Sequence, residues 1–253
     1  MLKIIYKTEK LQILIFIFLF FFIFFFTMGG KIEPTKPKLR GISHAIIFFI
    51  SIFTGWWLVE QAPSFMKLPA FVYACIFSMV FGVSAFLHVP NWPPDIRRLL
   101  RQLDHCMIFL LIAATYNLFP ILPESGYLII WVGWLGAFFG ILYKICMFST
   151  IEKGSKLLTS LPYAILGWAI LIELPNISYH LEYVGFLGLF CICIAGACYT
   201  IGALCYTIKK PNLFPGIFGY HEMLHFLVII ANYLFYTCVL ITFQSWYRIN
   251  NNI

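Results

Sequence analysis

The chain has 253 residues, of which 62% are hydrophobic and 11% charged, and its mean hydropathy is +0.90. A soluble domain of this length could not enclose so many Phe, Leu and Ile side chains, so the composition excludes a soluble enzyme or soluble nucleic-acid binder and requires a multispanning membrane protein. The formal net charge of +7 is therefore a signal of membrane topology, because no soluble region exists on which it could form a nucleic-acid patch.

The first apolar run is LQILIFIFLFFFIFFFTM, residues 11–28. Lys3, Lys7 and Lys10 precede it as in a signal peptide, but it is longer than a usual signal core and no A-x-A site follows, so it reads as an uncleaved extra helix. Residues 1–40 form this Phe-rich segment and a basic linker, and residues 41–253 form one domain. Seven apolar runs of spanning length follow at 42–61, 68–89, 104–122, 126–146, 157–173, 183–207 and 218–243. Continuous apolar runs without alternation must be helices, because backbone groups in hydrocarbon need partners within the segment. The fold class is all-α, a seven-transmembrane-helix bundle.

Lys and Arg set the orientation. Lys31, Lys36, Lys38, Arg40, Arg97, Arg98, Arg101, Lys144, Lys153, Lys156, Lys209 and Lys210 fall on one side, and only Lys67 and Arg248 on the other. Twelve against two places the amino-terminal side of the core in the cytoplasm and the carboxyl terminus on the opposite side. No pattern assigns a particular membrane or an oligomeric state. The eight cysteines lie in apolar runs with no C-x-x-C pair and read as packing thiols. Cys191, Cys198 and Cys205 recur with Gly188, Ala195 and Gly202 as a small-residue face for close helix contact, and Gly136 with Gly140 makes another.

Ionisable residues at membrane depth are costly and mark sites. The second span ends in SAFLH, which puts Ser84 and His88 on one helical face. The third opens with Asp104 and His105, and the seventh with HEMLH, where His221 and His225 share a face. By the topology above, His88, Asp104, His221 and His225 all reach the cytoplasmic membrane level. Three imidazoles and a carboxylate from three helices are the set a tetrahedral Zn²⁺ with one open position would use. His221-Glu222-x-x-His225 also matches a metalloprotease pattern in which Glu222 would be the base. No Asp, Glu or His follows His225, so a third ligand must come from upstream, with His88 or Asp104 as candidates. His44 and His105 read as structural, and His180 as a solvated residue of a far-side loop.

The order S-x-x-x-H, then RRLLRQLDH with LIAATY following, then GYHEMLH resembles the hemolysin III branch of the progestin and adipoQ receptor superfamily. The resemblance runs from about residue 40 to 240 and includes GISHAIIF in the first span and LYK in the fourth. It implies a seven-helix fold with a cytoplasmic amino terminus and a zinc near the cytoplasmic face, with ligands matching His88, His221 and His225. A carboxylate facing a water on the metal matches Asp104, and a serine one turn before the first histidine matches Ser84. The position of Glu222 is not always acidic in relatives, which argues against it as the base. The chain departs from the pattern in its Phe-rich segment and in SAFLH where bacterial relatives have STLYH, and neither change removes a ligand.

What this implies is hydrolysis of a lipid amide or ester, a ceramide-like membrane lipid being the family-level substrate. Asp104 would take the proton of the attacking water, and Ser84 would donate to a developing oxyanion. Two other readings stay open: a membrane-permeabilising hemolysin or pore in which zinc only clamps helices, and a receptor for a lipophilic ligand.

Overall fold

The structure, a computed structural model, describes residues 37, 39–118, 127–146 and 156–250; the apolar run at 11–28 lies outside these residues. Among the described residues there are seven α-helices: α1 Ile42–Gln61, α2 Lys67–His88, α3 Pro94–Tyr116, α4 Leu128–Cys146, α5 Lys156–Trp168, α6 Ile177–Ile208 and α7 Tyr220–Asn250. Each packs on its neighbour in sequence, and α1 also packs on α7, which closes the ring.

The breaks between helices are written in the sequence. Ala62-Pro63 ends α1, and Val89-Pro90 follows the last residue of α2. Pro94 opens α3, where its missing N–H costs nothing, and Asp95 in the first turn meets the positive end of the helix dipole. The charged turn containing Arg97, Arg98 and Arg101 is thus helical too. Asp104 is therefore not at the start of its helix but three turns inside it, because an apolar span only marks the part of a helix within lipid.

Among the described residues six helices are long and apolar enough to cross a bilayer, and α5 has only 13 residues. It continues as eight residues of 3₁₀-helix, Ala169–Asn176. The two pieces together reach about 35 Å, enough for a hydrocarbon core of roughly 30 Å. Parity requires that crossing. The Leu39 N–H bonds Ile217 O at 3.4 Å, so the chain before α1 and the loop before α7 share one end of the bundle. An even number of crossings must separate them, and α5 supplies the sixth. The carbonyls freed where α5 tightens are met by Tyr116 of α3. Its hydroxyl lies 2.7 Å from Leu166 O and 2.8 Å from Gly167 O and accepts the Ile170 N–H at 3.1 Å.

Phe77 and Phe81 of α2, Tyr73 one turn before them, and Phe243 of α7 are fully buried, whereas Trp131, Phe138, Phe139, Phe186 and Phe190 face outward where lipid lies. Helices surrounded by apolar lipid gain no hydrophobic free energy from each other and associate through close packing. The small residues serve that purpose. A Cβ on Gly202 would stand 3.1 Å from Leu224 on α7, and Cys191 and Ala195 are buried on the same helix. Gly136 and Gly140 accept two different helices, Leu166 of α5 and Phe109 of α3. All eight cysteines are free thiols.

The structure adds to the sequence reading at two polar residues. Lys144, counted among the basic residues of one membrane side, is buried at the end of α4, where its ammonium donates to Thr159 O at 2.8 Å and lies 4.8 Å from the Tyr163 ring centroid. His180 is in the first turns of α6, not in a loop, and its Nε2 stands 3.5 Å from the buried carboxylate of Glu173.

Candidate metal centre

His88 is the last residue of α2, and His221 and His225 lie in the first two turns of α7. The chain brings these ends together through Gly41. It adopts φ +81°, a conformation open to glycine, and a Cβ there would stand 2.7 Å from His88 Cβ. The start of α1 therefore rests directly on the end of α2.

The other side of the centre is held by Glu222. Its side chain is 3% exposed, accepts the Gly219 N–H at 2.9 Å and accepts from Arg40 Nε at 2.6 Å. The first bond is the reciprocal half of a capping box, a glutamate at the third helical position reaching back to the residue before the helix. Asn212 Oδ1 accepts the next free N–H, that of Tyr220, at 3.2 Å. Glu222 thus fixes the first turn of α7 and ties that turn to the segment before α1. An amino-terminal arginine and a glycine three residues before a glutamate are weak signals, and the sequence reading missed the pair.

Within this frame the ring nitrogens of His88, His221 and His225 offer three donor atoms within 4.8 Å of one another, a group that could hold a metal ion. His221 Nε2 and His88 Nε2 are 3.3 Å apart. Zinc–nitrogen bonds of 2.0–2.1 Å at tetrahedral angles put neighbouring donors about 3.3 Å apart, so this pair already stands at two corners of such a site. The third imidazole has its centroid 4.6 Å from that of His221 and 5.1 Å from that of His88. The donor set, three neutral imidazoles with no carboxylate among them, suits a borderline metal such as zinc and not calcium or magnesium.

Asp104 stands outside the group of donors. It lies three turns inside α3, and Ser84 is buried one turn before His88 on α2. On the other flank, Tyr206 of α6 has its ring 5.6 Å from that of His221 and 6.3 Å from that of Tyr220. The Tyr163 hydroxyl donates to the main-chain oxygen of His105 at 3.1 Å and so braces the peptide next to Asp104.

A fourth imidazole adjoins the centre. His44 of α1 is 4% exposed, and its ring lies flat on that of His225, 3.9 Å between centroids and 6° between planes. Phe81 meets it edge-on at 5.1 Å. Neither ring nitrogen of His44 has a hydrogen-bond partner. Burying two such groups costs on the order of 1–3 kcal/mol apiece, so what this position contributes to the centre is the face of the ring, which phenylalanine would also supply. Sequence spacing gives no sign of this contact, since 181 residues separate the stacked rings.

A family model described as haemolysin-III related matches residues 32–236. Hemolysin-3 of Bacillus cereus is 28% identical over 172 residues, which covers 67% of this chain and 72% of that one. The Hemolysin-3 homolog of Bacillus subtilis (strain 168) is 27% identical over 198 residues, or 69% of this chain and 86% of the relative. A match across most of the seven-helix domain, including every histidine of the cluster, places the chain in the haemolysin-III related family of multi-pass membrane proteins, within the progestin and adipoQ receptor superfamily.

Proposed function

We propose that this protein binds one zinc ion on His88, His221 and His225 and hydrolyses an amide or ester bond of a membrane lipid, a ceramide-like molecule being the substrate class that the resemblance favours. The observation that carries the reading is the convergence of three imidazoles at one end of the bundle, their ring nitrogens within 4.8 Å of one another and no carboxylate among the ligating atoms. A structural zinc is usually closed by four protein ligands, whereas three leave a position for chemistry. Zinc held in this way supplies Lewis acidity and a nucleophile at neutral pH.

The chain's own groups would do the rest. Asp104 accepts the proton of the attacking water and returns it to the leaving group. Ser84, buried one turn before His88, would donate its one hydroxyl proton to a developing oxyanion. Glu222 cannot share this work while both of its oxygens hold the start of α7. The position at helix ends, one to two turns from the basic loops, suits a bond near a lipid headgroup.

The relatives' name favours a second reading, permeabilisation of membranes, in which the ion would only clamp α2 to α7. Metal content and lipid hydrolysis tell the two apart. Detergent-purified protein is expected to carry about one zinc per chain by mass spectrometry, and a His88→Ala, His221→Ala, His225→Ala variant none. Asp104→Asn should retain zinc and lose at least about 10²-fold in ceramide hydrolysis. Unchanged hydrolysis in a folded Asp104→Asn protein would remove Asp104 as the base. Solute-size-dependent liposome leakage that persists after chelation would establish the pore in place of the enzyme.

A further inference from the structure

The loop between α6 and α7 takes no part in the proposed chemistry, yet it is a built element. Lys209 ends α6 in a left-handed conformation, φ 60°, and turns the chain out of the bundle. Phe214 and Phe218 then close a small hairpin through N–H···O bonds of 3.0 and 2.8 Å, and Ile217 is tied to Leu39 before α1. Every residue from 209 to 217 is exposed, and among them Leu213 is 51%, Phe214 64% and Ile217 46% exposed. A hairpin with this much apolar surface is unusual for a loop meeting water, and the stretch KKPNLFPGIFG contains no acidic residue.

Its surroundings say what covers it. Ile201, Leu204 and Ile208 form an exposed apolar stripe along α6 that runs to the loop, and Ile42 and Ile46 form one on α1, next to Leu39, which is bonded to Ile217. Both stripes belong to spanning helices and face lipid, so the hairpin tip continues a surface already covered by the bilayer. Lys209 and Lys210 sit at its base, on the side where basic residues accumulate.

We propose that the 209–218 hairpin is an interfacial anchor. Leu213, Phe214 and Ile217 enter the acyl boundary of the leaflet on the basic side, and Lys209 with Lys210 engages the phosphates of anionic lipids. Amphipathic insertion of this kind adds apolar burial to electrostatic attraction, each lysine near an anionic surface favouring it about fivefold. The anchor stands independently of the metal and of the hydrolase reading. It bears on them only through Gly219, Glu222 and Arg40, which join the hairpin to the first turn of α7.

The test uses the full chain in nanodiscs with a photo-crosslinking p-benzoyl derivative in place of Phe214, in bilayers mixing phosphatidylglycerol and phosphatidylcholine. Lipid adducts are expected, enriched in phosphatidylglycerol at least about fivefold over its share of the bilayer. Lys209→Gln with Lys210→Gln should bring the ratio near parity at low salt, and Lys209→Arg with Lys210→Arg should keep it, which separates lost charge from lost folding. Absence of lipid adducts, no preference for phosphatidylglycerol, or adducts in native membranes to a second copy or another polypeptide would each overturn the anchor.

Discussion

Glu222 lies between two clustered histidines in the sequence, but its carboxylate faces Gly219 and Arg40. The Arg40 side chain is 22% exposed, so solvent screens the pair only in part. Glu222→Ala should lower stability by roughly 1–3 kcal/mol through the lost cap and ion pair. Glu222→Gln, which can still accept the Gly219 N–H, should cost less. In both variants thermal unfolding is expected to move while hydrolysis per folded molecule stays within about twofold; a loss of several orders of magnitude in Glu222→Gln would make it the base after all. His44 makes the second argument at this scale. His44→Phe keeps the stack on His225 and removes two unpaired nitrogens, so stability should be equal or higher. Metal titration should find its zinc affinity unchanged, whereas His44→Ala, which frees the His225 ring, should weaken binding by about tenfold. Weaker zinc binding in His44→Phe would show that the nitrogens, and not the ring face, serve the centre.

Among the elements, α5 is the one whose form depends most on its neighbours. Its 13 α-helical residues cannot span a membrane alone, and the 3₁₀ continuation leaves carbonyls that Tyr116 meets from α3. Tyr116→Phe should cost about 1–3 kcal/mol, since it strands those groups in a water-poor interior. Chemical denaturation should detect the change, and an unchanged midpoint would mean that the freed carbonyls find other partners. Helices α2 and α7 were legible as continuous apolar runs, and the four-residue spacing of Ser84 with His88 and of His221 with His225 put each pair on one helical face. The length of α3 was not, because its first turns are charged and hydropathy ends where lipid does.

For the whole molecule, the placement of Leu39 beside Ile217 fixes the parity of crossings, and the distribution of Lys and Arg gives the expected direction. In sealed membrane vesicles whose cytoplasmic face is inward, a membrane-impermeant thiol reagent should therefore reach a cysteine placed at the carboxyl terminus and not one placed at Lys210, with native cysteines replaced. The opposite labelling pattern would invert the topology. Sequence alone determined the all-α class and the membrane setting and offered His88, His221 and His225 as candidates, because hydrocarbon permits few backbone solutions and leaves ionisable groups few reasons to be there. Only the tertiary structure decided that Lys144 is buried, that Arg40 locks Glu222, and that His44 lies on His225. Those contacts join residues far apart in the chain, and no period or local propensity records which helix faces will meet.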